Sequence, residues 1–138
     1  MHRFIDAQRG VYSTALAEIK QGKKRSHWMW YIFPQIQGLG FSATSKHYAI
    51  KDRKEAIDYM QHPVLGQRLE EISAALLPLE NTSAAEIFGS PDDMKLQSSM
   101  TLFATLPGSS AVFQAVLDRY FNGEKDENTV SILAKLKS

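Results

Sequence analysis

Phe4–Lys20 of this 138-residue chain reads FIDAQRGVYSTALAEIK, and its spacing predicts a helix. Phe4, Ala7, Val11, Ala15 and Ile19 fall on one stripe with a period of about 3.6 residues, widened by Tyr12 and Leu16. Gly22 stops the segment, with Lys20 placed where a cation suits the negative end of the helix dipole. The same period recurs downstream. Val64, Leu65, Leu69, Ile72, Ala75 and Leu76 carry it towards Pro78, and Val112, Phe113, Val116, Leu117, Tyr120 and Phe121 carry it to Asn122-Gly123. No run shows the period-two alternation of a half-buried strand.

Start signals punctuate the rest. Ser26 can cap a short aromatic helix to Phe33, which Pro34 then ends by biasing Phe33 away from helical geometry. Ser42 or Thr44 can open the next helix, and Asp52 with Glu55 has capping-box spacing for another to about Gln61. Pro63 after His62 starts a further one, and Ser83 with Glu86 is a second capping box. Ser90-Pro91-Asp92-Asp93 and Ser109-Ser110 open the last two long helices, and Thr129–Leu136 forms a final short one. The expected fold is all-α, a compact multi-helical single domain over residues 1–138, with about seven or eight mostly short helices.

Composition narrows the function. A hydrophobic share of 43%, a charged share of 22% and a net charge of +1 describe an ordinary globular protein without a strong field. Nucleic acid is therefore disfavoured as a partner. With no cysteine there is no disulfide, thiolate nucleophile or thiolate metal site. His2, His27, His47 and His62 are scattered without metal-ligand spacing, so no metal is expected. Glu124–Asn128 reads as an exposed acidic turn. MHRFIDAQRG has no apolar leader, and no apolar run approaches the roughly 20 residues of a membrane span. A cytoplasmic location away from membranes is expected.

The candidate site lies in Lys23–Tyr48, KKRSHWMWYIFPQIQGLGFSATSKHY. Buried indole N–H and phenol O–H groups need partners, which a polar cavity beside an aromatic helix supplies. Trp28 and Trp30 fall on different helix faces, so at most one should line a site and the other should be core. Arg25 can grip a phosphate or carboxylate bidentately, and His27 beside three cations can act as base or acceptor. Gln35, then Gly38, Gly40 and Ser42, form a loop whose backbone can approach a ligand closely, with Tyr48 closing the stretch. The context of a dinucleotide fingerprint is missing, so no cofactor is implied. Further on, Lys95, Ser98 and Ser99 share a helix face with the chemistry to hold phosphate or sugar. Burying these polar interruptions is costly unless they meet. Arg25–His27, Gln35–Ser42 and Lys95–Ser99 should therefore converge.

Larger strings look familiar. His27-Trp28-Met29-Trp30-Tyr31-Ile32-Phe33-Pro34-Gln35 followed by Gly38-Leu39-Gly40 resembles the signature of a bacterial family catalogued as domain of unknown function 1810 and sometimes mislabelled calpastatin. Arg3-Phe4 with Ala7-Gln8, His62-Pro63-Val64-Leu65-Gly66 and Ile87-Phe88-Gly89-Ser90-Pro91-Asp92-Asp93 match other parts of that pattern; Tyr31 stands where Phe is usual. The resemblance implies an all-helical fold and no established activity. In element order the chain is also similar to helical N-glycosidase-like proteins that act on riboflavin intermediates and ADP-ribose-type compounds.

The expected function is binding of a phosphorylated, base-containing small metabolite, extending to hydrolysis of its N-glycosidic bond with Glu55 or His27 as acid or base. The alternative is a non-catalytic module that docks a protein partner through the aromatic and glycine-loop surface. A concave site favours the first, a flat one the second.

Overall fold

The stripe from Phe4 to Lys20 is continuous in sequence but not in backbone. The computed structural model, which describes residues 1–136, divides it into α1 (His2–Gln8) and α2 (Tyr12–Lys20). Gly10 stands between them at φ +74°, a left-handed geometry that glycine reaches without steric cost. The break sends the two halves to different neighbours: α1 packs on α3 and α2 on α6.

The remaining helices are α3 (Met29–Ile32), α4 (Ala43–Tyr48), α5 (Arg53–Gln61), α6 (Leu65–Ala74), α7 (Ala84–Phe88), α8 (Asp92–Ala104), α9 (Ala111–Phe121) and α10 (Glu127–Lys135). The fold is all-helical. Ten helices among the described residues exceed the expected number because Gly10 splits the first and Ser83–Gly89 closes into the short α7. Among the same residues the one extended pairing is an isolated parallel bridge between Ile36 and Ile50.

Four starts use the side chains expected of them, while α8 opens behind Pro91 with no side-chain cap from Ser90 and α6 begins at Leu65, two residues past Pro63. Ser42, Asp52, Ser83 and Ser110 accept hydrogen bonds from the amides of Ser45, Glu55, Glu86 and Val112. Ser26 does not cap α3. Its amide and hydroxyl both donate to Glu18, and α3 begins later, at Met29. The acidic turn Glu124–Asn128 is also more than a turn, because Asp126 caps α10 through the Thr129 amide.

Helix α8 runs through the middle, against α5, α7, α9 and α10. Leu96, Met100, Leu102 and Phe103 are buried with Ser98, Ser99 and Thr101, so nearly its whole circumference is covered, as a helix enclosed by protein requires. A chain of rings, Phe4–Tyr59–Phe103–Phe113, crosses the core at centroid spacings of 5.0, 5.6 and 5.8 Å. Gln8, buried, donates to Tyr31 O at 2.8 Å and Tyr59 Oη at 3.0 Å while accepting from Arg68. These bonds tie α1 to α3 and so position the segment that carries Trp30.

Candidate functional site

The two tryptophans part company at α3. Trp28 is fully buried, with its indole Nε1 donating to Glu18 Oε1 at 2.9 Å and its ring beside Phe33 and Phe88. Trp30, half-buried, faces a pocket of about 320 Å³.

Four other segments build that pocket. The loop from Gln35 to Gly40 forms one wall, pinned where Gln37 N–H donates to Ile50 O and Ile50 N–H to Gln35 O, at 2.7 and 2.8 Å. Ser45, Lys46 and Tyr48 come from α4, and the Tyr48 ring lies 5.2 Å from that of Tyr31. Met94, Lys95 and Ser98 come from α8, and Asp126 and Asn128 from the start of α10. The loop requires its glycines. Gly38 has φ +108°, and a Cβ on Gly40 would sit 2.5 Å from Ser45 Cβ.

Charge is organised along α8. Asp92 Oδ2 takes the Lys24 ammonium at 2.9 Å and Oδ1 takes that of Lys95 at 3.2 Å. One carboxylate thus serves two cations and leaves net positive charge at the wall. Lys95 Nζ also lies 5.1 Å from the Trp30 ring centroid, a cation–π distance. The aromatic wall and the cation are held as one unit.

Of the expected site residues, Trp30, Gln35, Gly38, Gly40, Tyr48, Lys95 and Ser98 line this pocket. Arg25, His27, Trp28, Ser42 and Ser99 do not, so the expected convergence is partial. Arg25 is exposed and donates to Gln21, because Glu18 gathers the turn's amides and leaves the guanidinium outside. His27 is exposed, and its carbonyl accepts from Tyr31 Oη. Ser42 is spent as a cap, and Ser99 is turned into the core by the 100° step from Ser98. Lys24, whose side chain is 8% exposed, is the member of the basic cluster that pairs with Asp92, the carboxylate that also holds Lys95, and it stands outside the pocket lining.

Glu55 also stands outside the pocket lining. Both its oxygens accept from Arg3, at 3.2 and 3.0 Å, and Oε1 also accepts the Lys51 amide at 2.9 Å. Burial pushes its carboxyl up, but the Arg3 and Lys51 bonds outweigh it and hold the carboxyl below its usual range. A group so held is a structural anion rather than a proton donor near neutral pH.

Sequence reasoning missed Glu18 and Asp126. Burial is the largest single influence on Glu18 and opposes ionisation. The Ser26 hydroxyl, the Arg25 amide, the Trp28 indole and the Ser26 amide together overcome it and hold the carboxyl at about 2. Nothing local in sequence announces this, since the donors lie seven to ten residues away. Asp126 with Thr129 has cap spacing, a signal that was legible. Among the described residues no group of three or more His, Asp or Glu is placed to hold a metal, and no helix is long and apolar enough to cross a membrane.

Comparison with curated proteins gives no match. Among solved structures, the crystal structure of a conserved hypothetical protein from Mycobacterium tuberculosis is similar, with 44% identity and a TM-score of 0.95. The similarity covers 98% of this chain and 96% of that one. The family described as "Protein of unknown function (DUF1810)" matches residues 1–133, nearly the whole chain, and the chain belongs to that family.

Proposed function

We propose that the pocket beside Trp30 binds a small phosphorylated metabolite that carries a planar base. The observation that carries this reading is the Lys95 ammonium held 5.1 Å from the Trp30 ring inside a concave recess. Trp30 and Tyr48 offer aromatic surface for a base, and stacking of this kind is worth about 1–3 kcal/mol per base. Lys95 and the exposed Lys46 offer charge for a phosphate. The volume, about 320 Å³, lies at the small end of ligand sites and suits a mononucleotide-sized molecule rather than a polymer. A cytoplasmic location, where phosphorylated metabolites are abundant, fits this reading.

Hydrolysis of the ligand's N-glycosidic bond would need a carboxylate beside the reacting carbon. Asp126 is the carboxylate in the lining, so an enzymatic reading rests on Asp126 and not on Glu55.

A second reading, docking of a protein partner at the same mouth, draws on Phe41 and Met94, which are 86% and 60% exposed. Single exposed apolar residues are common on soluble proteins, so this observation weighs less than the recess. The test is a thermal-shift and calorimetric panel of ribonucleoside 5′-monophosphates and ADP-ribose. Saturable binding that is lost in Trp30→Ala and Lys95→Gln is expected. No binding by any of them at millimolar concentration would overturn the reading.

A further inference from the structure

We propose that Asp126 reads a sugar hydroxyl, making the pocket selective for ribose over deoxyribose. This rests on the reading of the pocket as a site for a base-containing phosphorylated metabolite, and it adds the part of the ligand between base and phosphate.

The two oxygens of Asp126 have different situations. Oδ2 accepts from Ser98 Oγ at 3.1 Å, from the Thr129 amide at 3.0 Å and from Thr129 Oγ1 at 2.5 Å. Three donors fill that oxygen's capacity. Oδ1 accepts from none of the described residues, and Asp126 stands on the rim between this pocket and a more open recess lined by Gln97 and residues 123–128. The residue is also held from behind, because its amide donates to the buried Thr101 Oγ1 at 2.9 Å. Its position is thus set before any ligand arrives, which reduces the ordering cost of binding.

A carboxylate oxygen can only accept, so a ligand covering it must bring a donor. A cationic donor is opposed by Lys95 and Lys46, which share the lining. A paired N–H edge of a base would need both carboxylate oxygens, and one is already filled. A single neutral donor satisfies every condition, and of the two such donors a ligand can bring, one N–H of its base or a hydroxyl, we take the hydroxyl, because Trp30 already offers the base its surface. In a molecule that carries both a base and a phosphate, that hydroxyl belongs to the sugar.

Asp126→Asn is an informative variant. Asparagine caps helices about as well as aspartate, and it has one carbonyl oxygen. That oxygen will face Ser98 and Thr129, leaving an NH₂ donor where Oδ1 was. The experiment is calorimetric titration of the four ribonucleoside 5′-monophosphates, each beside its 2′-deoxy and 3′-deoxy counterparts, into wild type and Asp126→Asn. For wild type, removing one hydroxyl should weaken binding by about tenfold to a hundredfold, the range of a hydrogen bond to a charged group. The new NH₂ can still donate to the hydroxyl oxygen, but without charge assistance. Asp126→Asn should therefore narrow the ribose preference to about tenfold or less, leave the deoxy form within about threefold, and unfold at a somewhat lower urea midpoint because Ser98 and Thr129 then bond a neutral oxygen.

Equal wild-type affinity for ribo and both deoxy forms would overturn the inference, without any reliance on the variant folding. So would an equal loss for all three ligands in Asp126→Asn, which would assign the contact to base or phosphate. In both cases the ligand class would stand. If wild type binds none of them, the reading of the pocket falls and this inference with it.

Discussion

Replacing Glu18 with glutamine tests how the aromatic segment is held. In the wild type Oε1 accepts from Arg25 N, Ser26 N and Trp28 Nε1, and Oε2 accepts from the Ser26 hydroxyl. Glutamine keeps one oxygen for the first three donors and turns an amide towards a hydroxyl that can rotate to accept. The shape survives and the charge is lost. Hydrogen bonds to a charged group are worth about 1.5–3 kcal/mol against 0.5–1.5 for neutral ones, so several weakened bonds sum to about 2–3 kcal/mol. The carboxyl's fall to about 2 gives an independent ceiling of about 3 kcal/mol, at about 1.4 kcal/mol per pH unit from its ordinary value. Glu18→Ala should cost more, about 3–5 kcal/mol, because the buried indole N–H and two amides lose their acceptor.

The pH dependence has a definite sign. A carboxyl whose pKa is lower folded than unfolded stabilises the fold fully above its unfolded value, near 4.5, and loses that contribution as pH falls towards about 2. Urea unfolding of wild type and Glu18→Gln should therefore differ most at pH 6–7. The gap should shrink to about half or less by pH 3. A gap under about 0.5 kcal/mol at pH 7, or one unchanged at pH 3, would refute the claim that these four bonds favour the charged form.

Other outcomes follow from single contacts. Gly66→Ala would place a Cβ 1.9 Å from the Met60 carbonyl oxygen, backbone that cannot swing aside; it should cost about 3 kcal/mol in urea unfolding. Glu55→Gln should destabilise by about 1–2 kcal/mol through the Arg3 pair yet leave nucleotide affinity unchanged in calorimetry, since Glu55 is outside the lining. Trp30→Ala should weaken nucleotide binding about tenfold or more while leaving the fold intact, the magnitude of one lost stack. Gly40→Ala should weaken the same binding by displacing Ser45 and the start of α4, seen as a lower affinity together with a lowered unfolding midpoint.

Local signals carried the class of the fold. Period 3.6 in Phe4–Lys20, the caps at Ser42, Asp52, Ser83 and Ser110, and the stop at Pro34 act within a few residues, so they are legible in a linear reading. The left-handed turn at Gly10 escaped because an apolar stripe does not record whether its backbone is continuous. For the site, the sequence by itself indicated that one tryptophan would be core and one would not, since residues two apart on a helix point in nearly opposite directions. It also placed Gln35, the glycine loop, Lys95 and Ser98 among the pocket's candidates.

Only the tertiary structure decided which groups of the basic and acidic clusters join them. Lys24, not Arg25, reaches Asp92, and Asp126 from the last helix faces Ser98, 28 residues away. Glu18 holds the Ser26 amide and hydroxyl, and α3 starts at Met29 instead of at Ser26. Charged side chains are long, and their partners are set by the packing of whole helices. Burial forces them to pair with whatever that packing brings near, and no spacing rule along the chain encodes the choice.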